Sequence, residues 1–242
     1  MNNVNKIVLT MGIFQLLHSI SKKCNKWFTR KSNAITNKIF EDVYKDCVWG
    51  QDINGNGTSG YGSELQFNKD YIQFMIRFII HNKIKTVADI GCGDWQFSNE
   101  IYKCLNISYY GYDCVEHIIN NNIQKYRHVP NYHFKHINGD NILSQLDRKE
   151  YDLLILKDVI QHWPNKKIIS FLQKLVKTTS FKYILLVNDH TSQENTDIAY
   201  GWYRPLNWYL PPFNQFNIVK IFDFNTFDNK TAVLLLQEPN TI

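Results

Sequence analysis

From residue 83 onward the chain alternates between strand-like and helix-like segments, and this alternation restricts the fold more than any other feature. KIKTVADI reads as a strand, QFSNEIYKCL as a helix, SYYGYD as a strand, VEHIINNNIQKY as a helix and YHFKHINGD as a strand. YDLLILKD is a continuous apolar run, the pattern of a strand covered on both faces of a parallel sheet. KKIISFLQKLVK follows, with Ile168, Ile169, Leu172, Leu175 and Val176 in one stripe and Asn165 placed to cap it. YILLVND comes next, then a polar-aromatic loop over 192–213. NIVKIFDF and TAVLLLQE close the pattern with no helix-length segment between them. Such an order predicts an α/β fold: a mostly parallel sheet, helices on both faces and an antiparallel hairpin at the C-terminal edge.

The residues before 83 behave differently. Residues 7–20 (IVLTMGIFQLLHSI) are apolar and are followed by KKCNKWFTRK, so residues 1–35 read as an arm separate from a domain at 36–242. A spanning helix needs about 20 apolar residues, which this run does not reach. Residues 7–31 suit either a basic amphipathic anchor on an anionic membrane surface, with Lys22, Lys23, Lys26, Arg30 and Lys31 toward lipid, or a helix packed on protein. Residues 47–65 (CVWGQDINGNGTSGYGSEL) carry five glycines, a density that no regular element survives. A loop of this length inside a compact domain suggests a lid or a disordered segment. Asn68 is then placed to cap a helix carrying Tyr71, Phe74, Met75, Phe78 and Ile79 on one face.

Composition narrows the class. With 44% hydrophobic and 14% aromatic residues the chain can bury a sizeable core, and a net charge of +5 suits an ordinary enzyme as well as an anionic partner. Cys24, Cys47, Cys92, Cys104 and Cys114 are scattered with no C-x-x-C pair, which disfavours a disulfide framework and predicts a reducing, cytoplasmic setting. No metal site is expected: His133 and His136, three apart in a strand, point to opposite faces.

The chemistry enters at TVADIGCGDWQFSNE, residues 86–100, where an apolar strand runs into two glycines flanking a cysteine. A dinucleotide fingerprint requires a third glycine to open the helix for a pyrophosphate, and Gln96 stands there instead. The phosphate-cradling G-x-x-x-x-G-K-S/T pattern has no match. S-adenosylmethionine, which carries no phosphate, needs no third glycine. VADIGCGD resembles the first motif of the class I S-adenosylmethionine-dependent methyltransferases. More narrowly, the chain is similar to small methyltransferase domains that share a WG…SG.G loop (Trp49-Gly50, Ser59-Gly60), the GCGDWQFS turn (Gly91–Ser98), a KDV.QH segment (Lys157–His162) and an NTD…YRPL…PPF stretch (Asn195–Phe213). The resemblance spans roughly residues 47–238. It implies a Rossmann-like methyltransferase sheet and S-adenosylmethionine as cofactor.

Read from that ligand, Gly91 and Gly93 let the main chain pass beneath ribose and tail without a Cβ clash. Asp89 can accept from the ammonium. Asp113, 22 residues after Gly91, suits both ribose hydroxyls. Asp140, with Asn141 beside it, ends the third strand and can accept from the adenine amino group. Cys92 in the turn and Lys157 at the end of the fourth strand complete the expected cofactor-binding set. Trp95 departs from the small residue many family members carry. It reads either as a wall of the tail pocket or as a core plug, and the habitual burial of tryptophan favours the plug.

Catalytic candidates cluster after the fourth and fifth strands. Asp158 and His162, four apart, share a face if the chain turns as a helix there, and His190 follows the fifth strand. Histidine titrates near neutral pH and suits a base. Asp158 reads equally as a cap of a short helix ended by Pro164, and His190 as a surface residue. The fourth strand lacks the Asn/Asp-Pro-Pro-aromatic end of amino-methylating DNA enzymes, and no basic run interleaved with aromatics appears in the core, so nucleic acid is disfavoured. Tyr200, Trp202, Tyr203, Trp208 and Tyr209 suit a small-molecule or glycan acceptor, or a loop packed over the sheet. The function expected is O- or N-methylation by in-line displacement; the alternative is a catalytically silent protein that retains the fold.

Overall fold

The computed structural model describes residues 36–178, 180–225 and 229–237, and the expected arm at 1–35 with its anchor at 7–31 lies outside them. Helix α1 (Thr36–Lys45) precedes the glycine-rich loop, and α2 (Lys69–His81) leads into strand β1 (Thr86–Ile90). Then follow α3 (Ser98–Tyr102), β2 (Ser108–Asp113), α4 (Glu116–Tyr126), β3 (Tyr132–His136), β4 (Tyr151–Lys157), α5 (Asn165–Leu175), β5 (Phe181–Asp189), β6 (Ile218–Asn225) and β7 (Asn229–Leu235). The strands form one sheet in the order β3-β2-β1-β4-β5-β7-β6. β1 to β5 run parallel, β7 is antiparallel to β5, and β6 pairs with β7 at the edge. This is the expected α/β architecture, Rossmann-like, with its antiparallel C-terminal hairpin.

Strand period decides which side chains meet which layer. Ala88, Ile90, Leu154, Leu156, Ile184 and Leu186 face the layer holding Ile168, Leu172 and Leu175 of α5. Val87, Leu153, Ile155, Leu185 and Val187 face the opposite layer, with Tyr71, Met75 and Ile79 of α2 and Ile101 of α3. Neighbouring residues of β4 are therefore buried on opposite faces, which is why its sequence is apolar without alternation.

Several local expectations change. QFSNEIYKCL supplies only a five-residue helix, Ser98–Tyr102. Asn68 occupies the N-cap position of α2 but makes no side-chain cap; its Nδ2 donates back to the carbonyls of Gly62 (2.9 Å) and Glu64 (2.7 Å). Asn165 lies inside the first turn of α5, after Pro164 at the cap. The third strand ends at His136, so Asp140 stands in the turn beyond it. Asp158 makes no helix cap, because the short helical turn Ile160–His162 has Val159 at its N-cap without a side-chain bond. Among the described residues no helix is long and apolar enough to cross a membrane.

Candidate active site

β1 and β4 are adjacent but connect in opposite directions along the sheet, which makes the gap beyond their carboxyl ends the place where open α/β folds bind ligands. A cavity of about 540 Å³ occupies that gap. Its floor is the turn after β1. Gly91 and Gly93 both adopt left-handed backbone (φ +74° and +58°), and a Cβ there would lie 2.4 Å from Val159 Cγ2 and 2.4 Å from Ser59 Oγ respectively. The two glycines thus admit neighbouring protein at close range. The amides of Gly91 (2.7 Å) and Cys92 (3.1 Å) donate to the carbonyl of Tyr112, and that of Gly93 donates to Asp113 Oδ2 at 3.0 Å. Trp95, at φ +56° and 1% exposed, turns away from the cavity into a nest of Tyr102, Tyr109, Tyr126, Tyr132 and Phe134. It is the core plug.

The glycine-rich loop forms a second wall, with Trp49, Ser59, Gly60, Tyr61 and Gly62 facing the cavity. Ser59 joins it to the β1 turn: its amide donates to Asp94 Oδ2 (3.0 Å), its Oγ accepts from the Asp94 amide (3.0 Å), and its hydroxyl bonds the Tyr44 hydroxyl of α1 (2.6 Å). Lys157 Nζ donates to the Gly62 carbonyl at 3.1 Å from the opposite side.

Two buried carboxylates mark the β1 and β2 ends. Asp89 accepts from Tyr109 Oη at 2.7 Å, and burial pushes its pKa up to about 6 against the opposing pull of that bond and of Lys157. Asp113 accepts from the amides of Gly93 and Val115 (3.0 Å each), while burial raises its pKa despite these bonds. A carboxylate has about four acceptor positions, so the two oxygens of Asp113 retain capacity for a ligand. Burial and the Asp113 and Asp89 charges push the Cys92 thiol well up, leaving it a neutral wall group.

The β4 end carries charge of both signs. Asp158, at φ +60°, accepts from Lys157 Nζ on one oxygen and from Lys230 Nζ of β7 on the other, 2.7 Å each. Burial opposes its charge, yet the two ammoniums outweigh this and hold the carboxyl well below the usual range. Burial also lowers the pKa of Lys157, with Asp158 opposing.

His162 is buried (8% exposed), and burial depresses its pKa to about 4. Its Nδ1 lies 3.0 Å from the Trp202 carbonyl, which can only accept, so the ring proton sits on Nδ1 and Nε2 is the basic atom. The late loop holds this residue at both ends, since the Gly201 amide also donates to the His162 carbonyl at 2.8 Å. Trp49 stacks obliquely on the imidazole with centroids 5.0 Å apart.

The cavity therefore gathers Asp89, Gly91, Cys92, Gly93 and Asp113 at one end, and Lys157, Asp158 and His162 at the other. It does not gather all the expected residues. Asp140 is exposed, accepts from Thr36 Oγ1 (3.1 Å) and lies 3.9 Å from Lys167; neither it nor Asn141 lines the cavity, though Gly139 and Ile142 do. His190 also stands outside the wall, edge-on to Tyr209 at 5.8 Å. Of the late-loop aromatics, Tyr203 reaches the cavity and donates to Asp189 (2.5 Å), whereas Trp208 is core. Tyr44, Ser59, Phe97 and Lys230 are wall residues that sequence reasoning did not assign. Ser59 lay within the WG…SG.G pattern; Lys230 had no signal, because strand pattern does not reveal which strand lies beside β5.

A methyltransferase-domain family model matches residues 81–220. No curated protein matches the chain in sequence. Among solved structures, magnesium protoporphyrin IX methyltransferase from Synechocystis PCC 6803 with bound SAM aligns with a TM-score of 0.59 at 15% identity, over 85% of this chain and 98% of that one. An O-methyltransferase family protein from Burkholderia thailandensis gives 0.53 at 8% identity, over 72% of this chain and 57% of that one. The bifunctional kinase-methyltransferase WbdD gives 0.54 at 16% identity, over 72% of this chain and only 41% of its own. At such identities the likeness is one of fold. The family match, on a sheet of this strand order, identifies the chain as a member of the methyltransferase-domain family, with the class I S-adenosylmethionine-dependent methyltransferase fold.

Proposed function

We propose that residues 36–242 act as a methyltransferase that binds S-adenosylmethionine across the β1 and β2 ends and methylates a small-molecule or glycan acceptor on oxygen or nitrogen. The observation that carries this reading is the pair of buried carboxylates, Asp89 and Asp113, facing one cavity beside the Gly91–Gly93 turn. Burial raises the pKa of both, a cost that a cationic ligand relieves. The donor supplies a methyl group on positively charged sulfur with a neutral thioether to leave.

Asp89 accepts from the donor's ammonium, and Asp113 uses its remaining acceptor positions for the ribose hydroxyls. The glycine-rich segment 47–65, pinned by Ser59, walls the cofactor from water. Alignment is the main task in such a displacement and supplies much of the acceleration. His162, neutral at physiological pH with Nε2 unprotonated, accepts the acceptor's proton. Asp158 and Lys157 act beside it. Asp140, Asn141 and His190 lie outside the cavity wall.

Calorimetric titration of the purified chain with S-adenosylhomocysteine tests the reading. Micromolar binding is expected, and the absence of heat at millimolar ligand ends it. Radiolabelled donor incubated with lysate fractions then separates transfer from silent binding.

A further inference from the structure

Arg204, in the late loop, is not part of the cavity wall, yet it is buried (6% exposed) and bonded to both sequence neighbours of His162. Its amide donates to the Gln161 carbonyl at 3.3 Å, and its Nη1 donates to the Trp163 carbonyl at 2.8 Å. The other tip of the fork, Nη2, donates to Asn165 Oδ1 at 2.6 Å, in the first turn of α5. Two residues before Arg204, the same loop supplies the Trp202 carbonyl that takes the His162 Nδ1 proton. One residue thus ties the backbone beneath the imidazole to the segment that orients its ring.

The guanidinium is held there against opposing forces. Burial lowers its pKa to about 10, and its Nε is buried without a hydrogen-bond partner. Asp197, the acid that acts on it, accepts instead from the Asn165 amide at 2.7 Å. A buried charge answered by neutral oxygens adds little stability that an apolar side chain would not supply. A rigid planar fork that reaches two fixed oxygens at once does set a geometry, and an ammonium cannot reproduce it.

We propose that Arg204 is a positioning residue for His162: by clamping residues 161–165 to residues 201–204 it holds the Trp202 carbonyl on Nδ1 and so keeps Nε2 unprotonated. The inference rests on the proposed function only for the task of Nε2 as base. The tautomer of an imidazole follows the hydrogen bond made by its other nitrogen. Without the clamp the Trp202 carbonyl moves off Nδ1, and the proton is free to pass to Nε2.

The test is the His162 ring in long-range proton–nitrogen correlation spectra of the isotope-labelled full chain, assigned with His162→Asn. The wild type should show the Nδ1–H tautomer alone. Arg204→Met should lower the ratio of Nδ1–H to Nε2–H by about tenfold, the worth of one hydrogen bond. Arg204→Lys, which keeps the charge but reaches one oxygen, should show a smaller shift in the same direction. A folded Arg204→Met with the wild-type tautomer overturns the clamp, and so does a wild type that carries Nε2–H. Should the Met variant not fold, the Lys variant decides, and a wild-type spectrum there overturns the proposal. Methyl transfer should fall in step with the Nδ1–H fraction. Mixed tautomers with unchanged transfer uphold the clamp and defeat the assignment of His162 as base. Failure to bind S-adenosylhomocysteine defeats the methyltransferase reading, while the tautomer still decides the clamp.

Discussion

Ser59 and Asp94 hold each other twice, through the Ser59 amide on Asp94 Oδ2 and the Asp94 amide on Ser59 Oγ, both at 3.0 Å. The pair fastens the glycine-rich loop to the turn after β1, tying one wall of the cavity to the other. A hydrogen bond to a charged acceptor contributes about 1.5–3 kcal/mol, and Asp94→Ala also leaves the Ser59 amide without its acceptor. We expect that variant to increase amide exchange over residues 57–63 and to weaken S-adenosylhomocysteine about tenfold. Ser59→Ala removes the reciprocal bond from the Asp94 amide and should raise exchange over the same segment. Unchanged exchange in both variants would show that the loop is held elsewhere.

Asp89 predicts how donor affinity depends on pH. Its pKa in the ligand-free chain is about 6, raised by burial. A cationic ligand beside it favours the ionised form, so binding releases a proton wherever Asp89 was protonated. Affinity is then flat above pH 6 and falls as pH drops below it, by up to about tenfold per pH unit. Asp89→Asn should bind more weakly at pH 8 and show no such slope. Calorimetric titrations between pH 5 and 8 measure both.

Much of the fold was legible because strand and helix periods reflect burial directly. β2 begins and ends where SYYGYD does, and YDLLILKD is apolar throughout because β4 is covered on both faces. The acids at the ends of β1 and β2 could be located from those strands. What sequence could not carry was any relation set by tertiary contact. Asn165 has the right residue type for a cap, but its Oδ1 accepts from Arg204 and its Nδ2 donates to Asn195, so the late loop claims it. Asp140 looked like a strand-end acid because the length of the turn after His136 has no sequence signature. Lys230 meets Asp158 across 72 residues only because β7 inserts between β5 and β6. A closing hairpin was foreseeable, but not the order of its strands.

Trp95 tests whether the turn is supported from beneath. Its ring fills the aromatic nest behind Gly93 and Asp94, so Trp95→Ala empties a core position and should cost about 3–5 kcal/mol. At about 2–4 °C per kcal/mol for a chain of this size, the melting temperature should fall by roughly 6–20 °C. A shift below about 2 °C, on the same scale, would mean that the nest collapses without loss. Donor affinity should fall only as the fold loosens, since the ring does not line the cavity.

His162 makes acid stability a readout of its burial. The ring is neutral in the folded chain, with a pKa of about 4 against an ordinary 6.5, because burial disfavours the imidazolium. The unfolded chain therefore binds more protons between those values, and stability rises with pH across that window. This contribution is fully present above pH 6.5 and is lost as pH falls toward 4. The depression corresponds to about 3 kcal/mol at one pKa unit per 1.36 kcal/mol. Urea unfolding at pH 7 and pH 4.5 should show the loss in the wild type and a much smaller one in His162→Asn, whose amide does not titrate. Activity separates the positional role from this stability role: if Nε2 takes the acceptor's proton, His162→Asn lowers kcat by about 10²–10⁴-fold at pH 7, where its fold is intact. The wild-type profile then shows no inflection near 6.5, because the imidazole that matters does not titrate there.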